Sequence, residues 1–282
     1  EIGYRRDAYV LGDFNGDGKI EMFSYEMDCY TSLPNCQLKL TYFQIYLLKI
    51  LPNTNPNRLQ KITNGFGAQT HFNYKTLPQM SLNVANNNGT YTKQHTAQFP
   101  VFDYQGAIQV VERMWAEDNL GNKLNEKIFH YEGAKIHRQG RGFLCFNKIK
   151  TIETATDFAN EKTYNYDTDF YYPFLTHEIS GKENAAGLLT PFEETILINN
   201  RKLFTNDRFW PHLDEITNID HLLLTSTHTI FNFTNAGNLK GQSKQISGSP
   251  AGDITIDDDF DYAHFGNSVN NLPNRMTYHQ TT

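Results

Sequence analysis

Alternation with a period of two residues runs through most of the chain and constrains its fold more than any other feature. Across Leu38 to Leu51, Tyr42, Gln44, Tyr46, Leu48 and Ile50 share one face, and Phe43, Ile45, Leu47 and Leu51 share the other. Both faces are largely apolar, so this strand is expected to be buried on both sides. From Leu222 to Phe233, Leu223, Thr225, Thr227, Thr229, Phe231 and Phe233 alternate with Leu222, Leu224, Ser226, His228, Ile230 and Asn232. The β-branched content of that run favours strand. Helical spacing is hard to sustain anywhere. Between the runs fall Asn64-Gly65, Asn88-Gly89, Leu120-Gly121-Asn122, Ala236-Gly237-Asn238 and Phe265-Gly266-Asn267, which supply the positive φ that tight hairpins need. The expected fold is all-β and antiparallel. Val84 to Thr90 is the best candidate for an exposed loop, and Leu51 to Asn57, with two prolines, for a linker. The expected division is therefore 1–55 and 56–282.

Composition removes several function classes. Hydrophobic residues at 39% and aromatics at 13% exclude a disordered chain. Lys+Arg 25 against Asp+Glu 31 leaves a net charge of -6, so no global positive field draws in phosphate backbones, and nucleic acid is not an expected partner. The longest apolar stretch, Ile45 to Leu51, is interrupted by Lys49 and falls far short of the roughly 20 residues of a spanning helix. The chain starts at Glu1 without an initiator Met or an apolar leader, which reads as a piece of something longer and says nothing about secretion. Cys29 and Cys36 flank a turn-like YTSLPN; a hairpin disulfide there is worth about 2.5 kcal/mol in the loop-entropy model, and two unpaired thiols are an equally open reading. Cys145 has no evident partner.

The densest chemical signal is Asp13-Phe14-Asn15-Gly16-Asp17-Gly18-Lys19-Ile20-Glu21. Asp13, Asn15, Asp17 and Glu21 put side-chain oxygens at loop positions 1, 3, 5 and 9, the Lys19 carbonyl is available between them, and Gly18 allows the sharp turn. Such an oxygen-only shell suits Ca²⁺. An EF-hand would need Glu at position 12, which is Ser24, and then a helix, whereas Ile20 to Tyr25 alternates as a strand. Three acidic groups this close repel unless a cation intervenes, which favours calcium over a metal-free Asx turn. Strand, acidic loop closing at position 9 and strand resemble the FG-GAP or VCBS repeat of β-propeller blades.

Further along, Ile62-Thr63-Asn64-Gly65-Phe66-Gly67-Ala68-Gln69-Thr70-His71-Phe72-Asn73-Tyr74 is similar to the signature that follows the FG-GAP blades in the B component of Tc insecticidal toxin complexes. Gly65 and Gly67 suit its hairpin. A second block, Glu117 to Asn122, then Phe129 to Ala134, then Arg138-Gln139-Gly140-Arg141-Gly142-Phe143-Leu144-Cys145-Phe146, resembles the RGF block of the same family, with Cys145 standing where Gly is usual. Cys is small and burial-prone, so little should change. Thr163-Tyr164-Asn165-Tyr166-Asp167 and the Gly-Asn turns at Gly237 and Gly266 look like degenerate RHS/YD repeats, and residues 180 to 220 are the least marked. The resemblance implies a propeller-like blade end joined to an antiparallel β-sheet shell of a secreted or surface-exposed bacterial toxin. It further implies partners: the remaining shell repeats, an enclosed C-terminal toxic polypeptide and a Tc-A-like translocation component. Stacked hairpins suit this role, because each buries a face only against a neighbour, and Tyr164, Tyr166, Tyr171 and Tyr172 supply cross-strand contact.

Enzyme readings find little support. Ten histidines include no HxH or HExxH spacing, and no GxSxG, P-loop or Rossmann pattern occurs. Cys145 lacks an identifiable base. The acidic run Asp253, Asp257, Asp258, Asp259 and Asp261 reads as a charge-guarded strand edge, with a second calcium site near Asp257 the weaker reading. Arg141, between glycines, is expected to lock a turn by bonding backbone carbonyls. Catalysis is not expected. The competing class is a calcium-dependent adhesion or glycan-binding β module, which shares the Asp13 loop without needing the RGF block.

Overall fold

The computed structural model describes residues 5–12, 21–29, 38–46, 58–81, 89–118, 120–204, 209–234, 237–248, 252–262 and 276–281. They are almost entirely antiparallel β, as the alternation requires. Contacts divide the chain into two units, residues 1–93 with 104–130 and residues 94–103 with 131–282. The stretch read as a linker, Leu51 to Asn57, lies outside the described residues, as does most of the loop read at Val84 to Thr90.

In the first unit, β1 (Arg5–Gly12), β2 (Glu21–Cys29) and β3 (Leu38–Tyr46) form a three-stranded sheet in that order. Then come β4 (Lys61–Thr63), β5 (Gln69–Thr76), a short helix α1 (Leu77–Ser81) and β6 (Tyr91–Thr92). β7 (Val101–Asp103) belongs to the second unit, and β8 (Gln109–Glu117) and most of β9 (Lys123–Glu132) return to the first. The second sheet of the first unit runs β9-β8-β5-β4. Helix α1 begins with a capping box: Thr76 precedes the helix and its backbone N–H donates to Gln79 Oε1 at 3.0 Å. Leu77 and Met80, one turn apart, are fully buried at 0% and 2% exposure and anchor this unit.

In the second unit, β10 (Lys135–His137) pairs with β7 on one side and with β11 (Gly142–Cys145) on the other. From there β12 (Lys148–Glu153), β13 (Phe158–Tyr166), β14 (Pro173–Glu183), β15 (Leu189–Leu203), β16 (Phe209–Asp220), β17 (Thr225–Phe233), β18 (Leu239–Ser247), β19 (Ile254–Tyr262) and β20 (Met276–Thr281) form an uninterrupted meander. Its burial is unusual. Among the described residues of β14 to β19, only Gly181, Thr229 and Gly241 are buried. Both faces of the sheet are therefore at least partly open, and cross-strand pairs such as Lys162 with Glu178 at 3.2 Å and Thr195 with Asn218 at 2.9 Å add lateral contacts. Each contributes a few tenths to about 1 kcal/mol.

One five-residue turn recurs at four hairpins. Asn64, Asp118, Asn184 and Thr234 each accept a backbone N–H three residues on, from Gly67, Gly121, Gly187 and Gly237, at 2.9 to 3.1 Å. Their own N–H groups donate to the carbonyls of Ala68, Asn122, Leu188 and Asn238. The side-chain oxygen at the first position also accepts the N–H of the fifth residue. All four glycines have φ between 79° and 91°, the left-handed region that closes a three-residue hairpin loop. The turn at Asn184 falls in the stretch with the weakest sequence signal.

Two expectations change. The run read as one strand from Leu222 begins at Thr225, because the Asp220 carboxylate accepts the Leu222 and Leu223 N–H groups and turns the chain. The acidic run at Asp257 to Asp259 is no sheet edge, since β19 pairs with β18 and with β20. The double-sided burial expected for Leu38 to Leu51 concerns side chains outside those described.

The turn geometry generates a paired test. Gly67→Ala forces an L side chain into positive φ and should cost about 1 to 2 kcal/mol, whereas Gly65→Ala, with open space at its Cβ and no positive φ, should stay within about 0.5 kcal/mol of wild type. Urea midpoints of the two variants measure the difference, and equal midpoints would refute the turn assignment.

Candidate functional site

A buried apolar cluster of the second unit forms around the RGF block. Val101 on β7 and Leu144 and Cys145 on β11 are buried, with Ala97, Tyr164, Tyr166 and Tyr171 packed against them. Tyr131 and Phe146 meet at 4.8 Å between ring centroids, and Phe143 meets Phe146 edge-on at 5.2 Å. Gly142 has φ +72°, so the chain enters β11 through a conformation that suits glycine. Arg141 is exposed, with no hydrogen bond to another described residue. Gly140, with φ +103°, and Gly142 give the turn its direction.

Below this cluster lies a buried ion pair. Lys135 and Asp103 side chains are 6% and 9% exposed and hydrogen-bonded; Lys135 Nζ also donates to Thr96 Oγ1 at 3.0 Å. Burial alone would raise the Asp103 pKa, but the Lys135 ammonium and the Ala97 N–H hold its carboxyl below the ordinary 3.8. Beside the pair opens a cleft of about 140 Å³, lined by Gln94, Asn147, Cys145 and the Tyr164 to Tyr166 segment. Burial pushes the Cys145 thiol up to about 11, so it is not a nucleophile at neutral pH. Tyr166 is raised too, first by burial and then by Cys145, Asp103 and Tyr171. The cleft thus holds a hydrogen-bonded ion pair beside a thiol and a phenol, Cys145 and Tyr166, whose pKa values burial raises.

The histidines are drawn into pairs along the sheets. His71 lies 2.7 Å from Glu117, His177 and His221 lie 2.8 and 2.9 Å from the two oxygens of Glu194, His212 lies 2.9 Å from Asp214, and His228 lies 2.9 Å from Glu215. In register, His177 faces Ile196 while the His221 N–H bonds the Phe192 carbonyl, so the two imidazoles reach Glu194 from opposite diagonals. Burial would raise the Glu194 pKa, but those two rings hold it below 4.5. Among the described residues no group of three His, Cys, Asp or Glu converges as metal ligands, near Asp257 or elsewhere. His137 is used for packing: it is 5% exposed and its ring sits 4.2 Å from Tyr171.

The calcium candidates fall mostly outside the described residues. Asp13, Asn15, Asp17 and Lys19 lie there, and Glu21 is the first residue of β2, opposite Gly12 of β1. Cys36 lies there as well, with its pairing to Cys29, which ends β2 opposite Leu38. Gly65 and Gly67 sit in the first of the four recurrent turns. Sequence reasoning missed the Lys135–Asp103 pair, whose members are 32 residues apart and carry no local signal.

Open-faced antiparallel strands tied by lateral ion pairs define an antiparallel β-sheet protein. The chain belongs to the family of the insecticide toxin TcdB middle/N-terminal region, whose model matches residues 3–177. No curated protein matches it. Its fold is similar to that of the crystal structure of TcdB2-TccC3-Cdc42, at TM-score 0.61 and 12% identity over 98% of this chain and 16% of that one. The crystal structure of TcdB2-TccC3 matches at TM-score 0.55 and 12% identity over 92% of this chain and 19% of that one. The chain therefore spans less than a fifth of the length of these relatives.

The buried pair generates a pH-dependent prediction. Lys135→Met leaves the Asp103 carboxylate buried without its cation and should cost about 3 to 5 kcal/mol at pH 7. A carboxylate with a lowered folded pKa contributes stability above its unfolded value and loses it as pH falls through the folded one. The unfolded value is common to both, so the gap between wild type and Lys135→Met in urea midpoint should shrink as pH falls from the variant's burial-raised Asp103 pKa, above 3.8, through the lowered value of wild type. A gap that does not change with pH would refute the ion pair as its cause.

Proposed function

We propose that this chain is a stretch of wall in a secreted bacterial Tc-type toxin, catalytically silent itself, within a β shell that encloses or delivers a C-terminal toxic polypeptide. The observation that carries the reading is the meander from β14 to β19, which buries almost nothing on either face. A globular domain covers one face of its sheet; a wall has an inside and an outside. The reading takes further RHS/YD-type strands, a TccC3-like partner and a Tc-A-like translocation component as neighbours in the assembly, and the family match supports it. Among the described residues no helix is long and apolar enough to cross a membrane.

Successive strand residues point to opposite faces, which gives a direct test in the complete toxin component. Ile196 and Asn218 are both exposed and lie on opposite faces, since Asn218 faces Thr195. Single cysteines at the two positions should react with a bulky maleimide at similar rates in the isolated 282-residue chain. In the closed assembly, one should be labelled and the other protected. Equal labelling of both in the assembly would overturn the wall reading.

We also propose that calcium binds Asp13, Asn15, Asp17, the Lys19 carbonyl and Glu21, in the manner of an FG-GAP loop. In support, Gly12 and Glu21 are register partners, so this run joins two antiparallel strands, and a strand rather than an EF-hand helix follows it. Isothermal titration of chelator-treated protein should give one site that Asp17→Ala removes. Equal uptake by parent and variant, or none by either, would refute it.

A further inference from the structure

The hairpin joining β16 and β17 carries Leu222, Leu223 and Leu224 at 69%, 71% and 80% exposure, three consecutive leucines that no described residue covers. Lone exposed leucines are ordinary, whereas a contiguous set at a hairpin end marks a contact surface. The turn is rigidly built. The Asp220 carboxylate accepts the Leu222 and Leu223 N–H groups at 2.9 and 2.8 Å, and Leu224 sits at φ +55°, which places the three side chains rather than leaving them to a loose loop. Beside them opens a hollow of about 350 Å³ bounded by Ile219, Leu224 and Gly248.

The charge next to this knob is one-sided. Glu193 on β15 and Asp220 on β16 face each other directly in register, and neither has an ion pair with a described cation. Like charges directly opposite are destabilising, so a cation brought by a partner would relieve the repulsion that the two turn N–H groups on Asp220 offset only in part. An anionic lipid surface would be repelled, and so would a second copy presenting the same acidic pair.

We propose that the β16–β17 hairpin end is a docking surface for a protein whose apolar groove, rimmed by lysine or arginine, receives Leu222 and Leu223 and pairs with Glu193 and Asp220. The site is independent of the shell reading, since it concerns a partner at the end of the sheet and not the content behind its face. The basic rim would raise the association rate and its salt dependence, while the leucines would hold the complex.

The test is binding of the 282-residue chain to a synthetic amphipathic peptide of leucine and lysine, against the same peptide with glutamate in place of lysine. The lysine peptide should bind at least about tenfold tighter. Leu222→Ser with Leu223→Ser should lower its affinity about tenfold or more. Glu193→Gln with Asp220→Asn, which keeps an acceptor for the turn N–H groups, should lower it severalfold and flatten the salt dependence. Circular dichroism and urea midpoints identify any variant that fails to fold, in which case Leu223→Ser alone takes its place. Equal affinity for the two peptides, or no loss in the leucine variant, would overturn the proposal. So would cosedimentation with phosphatidylcholine–phosphatidylserine vesicles, or dimerisation of the chain, that the leucine substitutions abolish.

Discussion

The backbone ladder, held in register by its turns, is the constraint on which the second unit depends. Where a strand buries neither face, the usual force that fixes register is weak, because a slip of one residue moves no hydrophobic set out of a core. The meander from β14 to β19 is in that position. Register must then come from the hairpin ends, and the turns at Asn184 and Thr234 supply it through a left-handed glycine and a side-chain acceptor that bonds the turn. The lateral pairs, such as Lys162 with Glu178 at 3.2 Å, add a second test of register, since they form only when the strands are aligned.

The buried Lys135–Asp103 pair belongs to the same logic at the other extreme. It joins β10 to β7, a strand reached from a distant part of the sequence, and lies beside the apolar cluster that the RGF block builds. Paired buried charges add little net stability over apolar residues of the same size, but they punish any misalignment that leaves one of them alone. The small sheet of β7, β10 and β11 therefore acts as a keyed corner next to a sheet without a core of its own.

Much of this was readable in the sequence, for physical reasons that differ element by element. Strand content followed from the period of two, and two of the four recurrent turns from Gly121-Asn122 and Gly237-Asn238; Asn64-Gly65 marked the place of a third, but there Gly67 and not Gly65 takes the positive φ. The fourth, Asn184 to Leu188, lacks both dipeptides. The common feature is an Asn, Asp or Thr three residues before Gly, which a search for that spacing would have found. Helix α1 is invisible to periodicity because it is one turn long, yet Thr76 and Gln79 carry its capping-box spacing. Leu222 to Leu224 read as strand because alternation continues through them, and only Asp220 signals that the chain turns first. Asp257 to Asp259 read as an edge because charge on a strand suggests solvent on its flank, but here both faces are open and charge is tolerated on an interior strand.

That openness also accounts for the character of the chemistry. Reactive constellations need a concave site in which several side chains, each fixed by packing behind it, aim at one point. A single layer of strands spreads its side chains outward in parallel rows instead, so a polar group finds its partner sideways, on the next strand. Glu194 between His177 and His221 illustrates the limit: one carboxylate receives two imidazoles, but from opposite diagonals. A sheet of this kind turns its polar groups toward their neighbours, as His177, His221 and His228 turn to a glutamate on an adjacent strand.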